Sequence, residues 1–294
     1  MYNTEIVPYT IIFTSLERGK MKIISWNVAS RVRKQQLQLD ALVSREPDVI
    51  GLQEVTSRTL PLWVEGLQRQ EYTHAISSFS LHGGSNSGLT GPRRYGILVA
   101  SRWPLDSINQ RSLKIPWHER LVSVLIHSPN VDFEFHVTHI PPGASHGWLK
   151  IDTFEGIFKF LARPSYNYLR ILCGDFNSPQ AETRSGEVIT WGQDILKDGQ
   201  VRFSDKEGRW DAGERSVIQG LAEYNLYDIF RLLNGYESQE FSWLLRRKGK
   251  IIARRRFDHI FASKTLNPDK CRYIHSFREE LLSDHSAIEA IFKI

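Results

Sequence analysis

Ser283-Asp284-His285-Ser286-Ala287 (SDHSA) stands directly before a closing apolar run, SAIEAIFKI, and the reading of the whole chain turns on it. It sets a carboxylate beside an imidazole at a loop-to-strand junction. Asp284 can hold a hard cation, and His285 can contact a phosphate or move a proton. A polar triplet of this kind also closes ordinary loops. Its weight comes from further polar residues that interrupt apolar strands upstream, in an order that lets them meet at one place.

Those strands come in short runs: KIISWN from Lys22, DVIGLQ from Asp48, YGILVAS from Tyr95, LVSVLIH from Leu121, VDFEFHVTH from Val131, YLRILCG from Tyr168 and FDHIFAS from Phe257. Val131, Phe133, Phe135 and Val137 alternate with polar residues, which predicts a sheet with two different faces. Between the strands lie helical patterns. Leu39, Leu42 and Val43 have helical spacing before Pro47, and Ile151, Phe154, Phe158 and Leu161 make a second apolar stripe ended near Pro164. KIISWN, helix and DVIGLQ in succession predict a parallel crossover, whereas adjacent strands without a helix predict antiparallel hairpins. Mixed sheets packed on each other with helices outside satisfy both. Ser77 to Arg94 is rich in Gly, Ser and Asn and reads as a long loop. Met21 opens the first natural strand, so residues 1–20 are expected to be an extension and residues 21–294 one domain.

Composition narrows the class. A chain of 294 residues with 41% hydrophobic and 11% aromatic content can build one large core. Cys173 and Cys271 are its two cysteines, too few for a disulfide framework, and a reducing compartment is expected. The formal charge of +5 permits a polyanionic partner without requiring one. No stretch is apolar for long enough to span a membrane, and the first residues lack the basic and small-residue features of a signal peptide. A cytoplasmic location follows as the expectation.

The polar residues at the strand ends carry the chemistry. Asn27 closes KIISWN and Glu54 follows DVIGLQ. Taken alone, the first is a turn-capping amide and the second a salt-bridged strand end. His139 closes an alternating strand, and Pro141-Pro142-Gly143 turns the chain away after it, leaving the imidazole at the sheet rim rather than inside. In GDFN, Asp175 and Asn177 are two apart on an extended segment, so a base and an amide can address one group. Asp258 lies inside an otherwise apolar strand. It needs a partner there, either a histidine that it orients or one of Arg254, Arg255 and Arg256.

SWNV, LQEV, GDFN and SDH, in this order from Met21 to Ile294, resemble the endonuclease/exonuclease/phosphatase superfamily, which includes exonuclease III, abasic-site endonucleases, pancreatic-type deoxyribonucleases, sphingomyelinases and inositol-polyphosphate 5-phosphatases. The resemblance implies a four-layer αββα sandwich of two mixed β-sheets flanked by helices. It implies Glu54 as the principal Mg²⁺ ligand (Mn²⁺ substituting), with Asn27 and Asp284 close to the metal. Asp175 would activate or align the attacking water, and Asn177 would hydrogen-bond it or a phosphate oxygen. His285, oriented by Asp258, would contact the scissile phosphate. His139 would bind phosphate or donate a proton from the opposite side, with Arg120 and Tyr95 contacting substrate. Two positions depart from the relatives: Ala29 stands where some abasic-site enzymes carry an aspartate, and His139 where exonuclease III has a tyrosine.

Arg246, Arg247, Lys248, Lys250 and Arg254 to Arg256 form a basic segment, and Gly249 marks a hairpin tip. Such a segment is often only a solvated surface. Leading directly into the Asp258 strand, it is placed to contact nucleic-acid backbone, with Trp243 stacking on a base or sugar. Trp117 and Trp148 flank the Arg120 and His139 motifs and are expected to line the cleft. The leading expectation is a Mg²⁺-dependent nuclease acting on DNA or RNA. The alternatives are a phosphatase or phospholipase-type diesterase acting on an inositol phosphate or phospholipid, and a non-catalytic binding protein on the same fold.

Overall fold

A computed structural model describes residues 19–82, 89–163, 169–204 and 207–294. Most of the expected extension and the centre of the Ser77–Arg94 loop lie outside these residues. Two six-stranded mixed sheets stack face to face. The first runs in the order Pro268–Ile274, Ala287–Lys293, Lys20–Asn27, Val49–Val55, Gly96–Ser101, His74–Ser77. The second runs Tyr227–Asp228, Asp258–Ala262, Leu169–Asp175, Asp132–His139, Leu121–His127, Leu105–Ser107.

Each sheet contains one parallel pair, and both pairs are joined by a helix. Lys20–Asn27 crosses through the helix Gln35–Val43 to Val49–Val55, and Asp132–His139 crosses through Leu149–Leu161 to Leu169–Asp175. Parallel strands need such crossovers, and these bring Asn27 opposite Gln53 and His139 opposite Asp175 at the same end of the sandwich. Asp258 enters from the antiparallel side, opposite Asp175.

Three apolar clusters account for four layers. Between the sheets lie Met21, Ile23, Val99, Phe133, Phe135, Val137 and Ile260. Outside the first sheet, Leu39 and Leu42 of one helix and Trp63 and Leu67 of the helix Leu60–Gln68 cover Trp26 and Leu52. Outside the second, Ile151, Phe154, Ile157 and Trp210 cover Leu121, Leu172 and Phe261. The sheets approach closely enough that a Cβ on Gly51 would lie 2.8 Å from Val137. The alternation in Asp132–His139 separates the central core from a second buried face, because Glu134, His136 and Thr138 are covered by the helical layer. Glu134 is satisfied there by Arg163 at 2.9 Å and His136 at 3.2 Å.

The basic segment is the expected hairpin, Trp243–Arg247 paired with Lys250–Arg255 outside both sheets. Lys248 and Gly249 at its tip have φ of 48° and 78°, the left-handed pair of a two-residue turn. Arg256 corrects one expectation. It is 4% exposed and held by Glu182 at 2.6 Å and Asp228 at 2.6 Å, with Arg231 also on Glu182 at 2.7 Å. That guanidinium is committed to the fold and unavailable to a ligand, and it fixes the entry into the Asp258 strand.

Burial raises the Glu182 carboxyl, but Arg256 and Arg231 outweigh this and lower it from 4.5 to about 2. A depressed carboxylate stabilises the fold above its unfolded value and ceases to do so as pH falls toward the folded one. Wild-type stability is therefore expected to fall between about pH 4.5 and 2 through this group. Glu182→Gln should cost about 3–5 kcal/mol at neutral pH, because a buried pair loses one partner, and should flatten that acid slope. Urea unfolding across pH would check it; an unchanged slope would show the cluster to be electrostatically idle.

Candidate active site

Gly174 makes the GDFN turn possible. Its φ is +139°, and a Cβ there would fall 1.9 Å from the Thr138 carbonyl oxygen, so only glycine lets the two parallel strands end side by side. Asp175 follows, fully inside the sandwich edge. Its Oδ1 accepts from the Asn177 backbone N–H at 2.9 Å and its Oδ2 from Asn27 Nδ2 at 2.9 Å. Asn177 is left-handed, with φ of 50°, and donates its own Nδ2 to the Ile140 carbonyl at 2.9 Å.

Glu54 is placed by a β-bulge. Gln53 pairs with Ile97 and Val55 with Gly96, which leaves Glu54 as the extra residue, at φ 57°. A left-handed glutamate is uncommon and strained, and bulges re-aim side chains at sheet edges. Here the bulge turns the carboxylate into the cleft, 3.2 Å from Asn27 Nδ2 and 3.8 Å from His139 Nε2. Asn27 Oδ1 accepts from the Ala29 N–H at 2.9 Å.

Two histidines face Asp175 from opposite sides, each with Nε2 at 3.9 Å from Oδ2. Their protonation differs. His139 Nδ1 lies 2.6 Å from Arg120 Nη1, and a guanidinium can only donate, so Nδ1 accepts and the neutral ring carries its proton on Nε2. Burial, then the charges of Arg120 and His285, hold His139 well below the usual imidazole range. His285 donates through Nδ1 to Asp258 Oδ2 at 2.8 Å. Burial alone would lower it, but Asp258 and Asp175 raise it to about 10. Burial raises Asp175 to about 7 against the opposing pull of His285. Burial also raises Glu54.

These groups open onto a cleft of about 820 Å³ that Asp284, Tyr95, Arg120 and Trp243 also line. Tyr95 lies 6.4 Å from the His139 ring and carries Arg94 over its face at 4.2 Å. Arg120 is buried and reaches the Pro92 carbonyl at 2.8 Å besides His139. Trp243 stacks on Phe257 at 5.4 Å. Arg246, Arg247 and Lys248 do not line this cleft, and Arg246 turns to the far side of the hairpin. Trp117 and Trp148 are also displaced from it. Trp117 packs on Arg120 and His146, and Trp148 on Trp210. Trp191 and Trp210 take the cleft positions instead, together with Lys150 and Arg255. Their sequence surroundings contain no strand-end signal; only the helix Glu207–Ile218 folding over the Asn177 turn brings Trp210 there.

Two serines, Ser283 of the SDHSA stretch and Ser242, hold the site together. Ser283 Oγ donates to the Asn27 carbonyl at 2.6 Å and accepts from the His285 N–H at 3.1 Å. Ser242 Oγ accepts from the Phe257 and Asp258 N–H groups at 3.0 and 3.1 Å, while its carbonyl accepts from Ser286 N–H at 2.8 Å. Beneath Asn177, Lys150 Nζ pairs with Glu214 at 2.8 Å and donates to the Asn177 carbonyl at 2.9 Å.

Residues 24–285 match the Endonuclease/Exonuclease/phosphatase family. The chain is 26% identical over 293 residues to Exodeoxyribonuclease III of Haemophilus influenzae, covering 93% of this chain and 100% of that one. Among solved structures it is similar to an AP endonuclease from Archaeoglobus fulgidus, with a TM-score of 0.65 at 20% identity over 93% of this chain and 100% of that one. A 3′ phosphatase from Neisseria, bound to a product DNA hairpin, has a TM-score of 0.61 at 19% identity with coverage of 93% and 100%. The αββα sandwich is the architecture these likenesses share.

Ser242→Ala would leave two buried N–H groups at the start of the Asp258 strand without their acceptor. A loss of about 1–3 kcal/mol per orphaned donor is expected in chemical denaturation. Wild-type stability in this variant would mean that the hydroxyl is dispensable.

Proposed function

Because the chain belongs to the Endonuclease/Exonuclease/phosphatase family, we propose that it is a phosphoesterase of the nuclease type, hydrolysing nucleic-acid phosphodiester bonds with a bound Mg²⁺ and an attacking water. The observation that carries this reading is Asp175, raised to about 7 by burial, with an imidazole Nε2 at 3.9 Å on either side.

The donor set suits a hard cation. Glu54 and Asp284 bring two carboxylates to one cleft, and the burial that raises Glu54 is only partly offset by His285 and Asn27. Oxygen donors of this kind select Mg²⁺ or Mn²⁺. Glu54 and Asp284 would hold the ion with Asn27 beside them, and it would neutralise charge on the non-bridging and leaving oxygens. Asp175, Asp258 and His285 also place ligand atoms within 4.8 Å of one another, but His285 Nδ1 is committed to Asp258, so this trio reads as a dyad facing a base.

The remaining work falls to the chain. Asp175 takes a proton from water, held in line by the Asn27 amide and the Asn177 backbone. His139 donates its Nε2 proton as a hydrogen bond to a phosphate oxygen, while Arg120 keeps Nδ1 occupied and adds positive charge. His285, cationic through Asp258, stabilises the anionic transition state from the other side. Trp243, Trp191 and Tyr95 offer ring surfaces to a base or sugar. Arg247 and Lys248, exposed at the hairpin tip, offer charge to more distant phosphates.

A second reading has one observation in its favour. The hairpin exposes Leu245, Ile251 and Ile252 among its basic residues, a composition that also suits an anionic lipid surface. Incubation with plasmid, single-stranded DNA, RNA, inositol phosphates and phosphoinositide vesicles, with and without Mg²⁺, separates the two. Cleavage of lipid headgroups without cleavage of polynucleotide would replace the nuclease reading.

Four substitutions test the assignments. Glu54→Gln should lower kcat by at least ~10²–10³-fold, and excess EDTA should abolish wild-type turnover. His139→Ala should lower kcat by roughly 10²–10⁴-fold. Asp258→Asn and His285→Ala should be strongly non-additive, as coupled groups are. Losses that multiply in the double variant would show that the two act separately.

A further inference from the structure

The hairpin Trp243–Arg255 stands between two depressions. Trp243, Leu245 and Arg255 line the active cleft, whereas Leu244, Arg246 and Ile251 line a second groove of about 650 Å³. The alternation of side chains along a strand produces this division. The depressions meet at Asp284, which lines both.

The charged lining of the second groove is Arg31, Lys34, Arg246 and Arg278 against Glu279 and Asp284. Arg278 is the unusual member. It is 9% exposed, its guanidinium lies 4.6 Å over the Phe241 ring, and its Nη1 has no hydrogen-bond partner among the described residues. Burial lowers the Arg278 pKa, Glu279 counters this, and Arg246 lowers it further. A buried guanidinium beside other cations is costly, and the negative charge of an anion seated in the groove would offset that cost. Lys34 Nζ donates to the Leu281 carbonyl at 2.7 Å, tying the loop after the first strand to the rim. Leu281 itself is 69% exposed on that rim.

Resting on the nuclease reading above, we propose that this groove holds the substrate strand where it continues past the scissile phosphate, one single polynucleotide strand crossing the Asp284 rim from the active cleft. Charge complementarity and direct continuity with the active cleft select this occupant. Arg246, expected with its basic neighbours to contact nucleic-acid backbone beside the site, faces this groove on the far side of the hairpin.

The test measures binding without turnover. Fluorescent thymidylate trimer and dodecamer are titrated against the full chain in EDTA over a range of salt. The wild type should bind the dodecamer more tightly and with a steeper salt slope than the trimer. Replacing Arg31 and Lys34 together with Ser should flatten the dodecamer slope by about 1.4, at ≈ 0.7 per phosphate contact on a single strand, and remove most of the length advantage. Leu281→Asp should also reduce the length advantage by like-charge repulsion, and its exposed position at φ 58° accepts Asp without disturbing the core. Length-independent wild-type affinity, or folded variants that keep the wild-type slope, would overturn the groove. Adding Mg²⁺ to the dodecamer tests the nuclease reading separately. Cleavage with an unaltered slope in the variants overturns the groove alone, whereas groove-dependent binding without cleavage by the wild type overturns the nuclease reading alone.

Discussion

The 2.8 Å hydrogen bond between Asp258 and His285 joins the two sheets at their functional edge. Asp258 opens a strand of the second sheet, and His285 precedes the last strand of the first. A carboxylate so deeply buried needs a partner, and Asp258, together with Asp175, keeps the buried His285 imidazole protonated. Each side chain therefore requires the other sheet to be in register. Asn27 to Asp175, at 2.9 Å, makes a second bond between the sheets, and Ser283 and Ser242 tie the connecting loops to the same corner. The sandwich cannot shear at this edge without breaking all of them.

Backbone strain is concentrated in the same place. Glu54 and Asn177 are both left-handed, and Gly174 occupies a conformation closed to other residues. Such conformations persist where surrounding structure over-determines them. Here the Glu54 bulge sits in a strand paired on both sides, and the Asn177 turn rests on the buried Lys150–Glu214 pair. The rigid layers absorb the cost, and the cleft gains side chains aimed at one point rather than along the strands that carry them.

The cleft is asymmetric in charge as well as in shape. Carboxylates occupy its floor, a neutral histidine backed by an arginine stands on one wall, and a cationic histidine on the other. This suits an anion that gains charge during reaction. The hairpin extends the site outward, with Trp243, Leu245 and Arg255 toward the cleft, Leu244, Arg246 and Ile251 toward its far face, and Lys248 at its tip.

Much of this architecture is already present in the order of residues. Alternation in Asp132–His139, the apolar stripes of Gln35–Val43 and Leu149–Leu161, and the polar residue closing each strand specify a mixed-sheet sandwich with its chemistry at the strand ends, because strand period, helix period and crossover length are local properties. The pairing of Asp258 with His285 follows from the family resemblance; the cost of burying an aspartate demanded a partner but left Arg254, Arg255 and Arg256 open as well. Other features depend on distant packing. Arg256 reads like its basic neighbours until Glu182 and Asp228, remote in sequence, enclose it. Trp191 and Trp210 replace Trp117 and Trp148 in the cleft because distant packing of the turn after Val188–Ile189 and of the helix Glu207–Ile218, not the strand motif, decides which rings reach it. The bulge at Glu54 and the outward turn of Arg246 are set by register between paired strands, and register is a relation between segments that no single stretch of sequence contains.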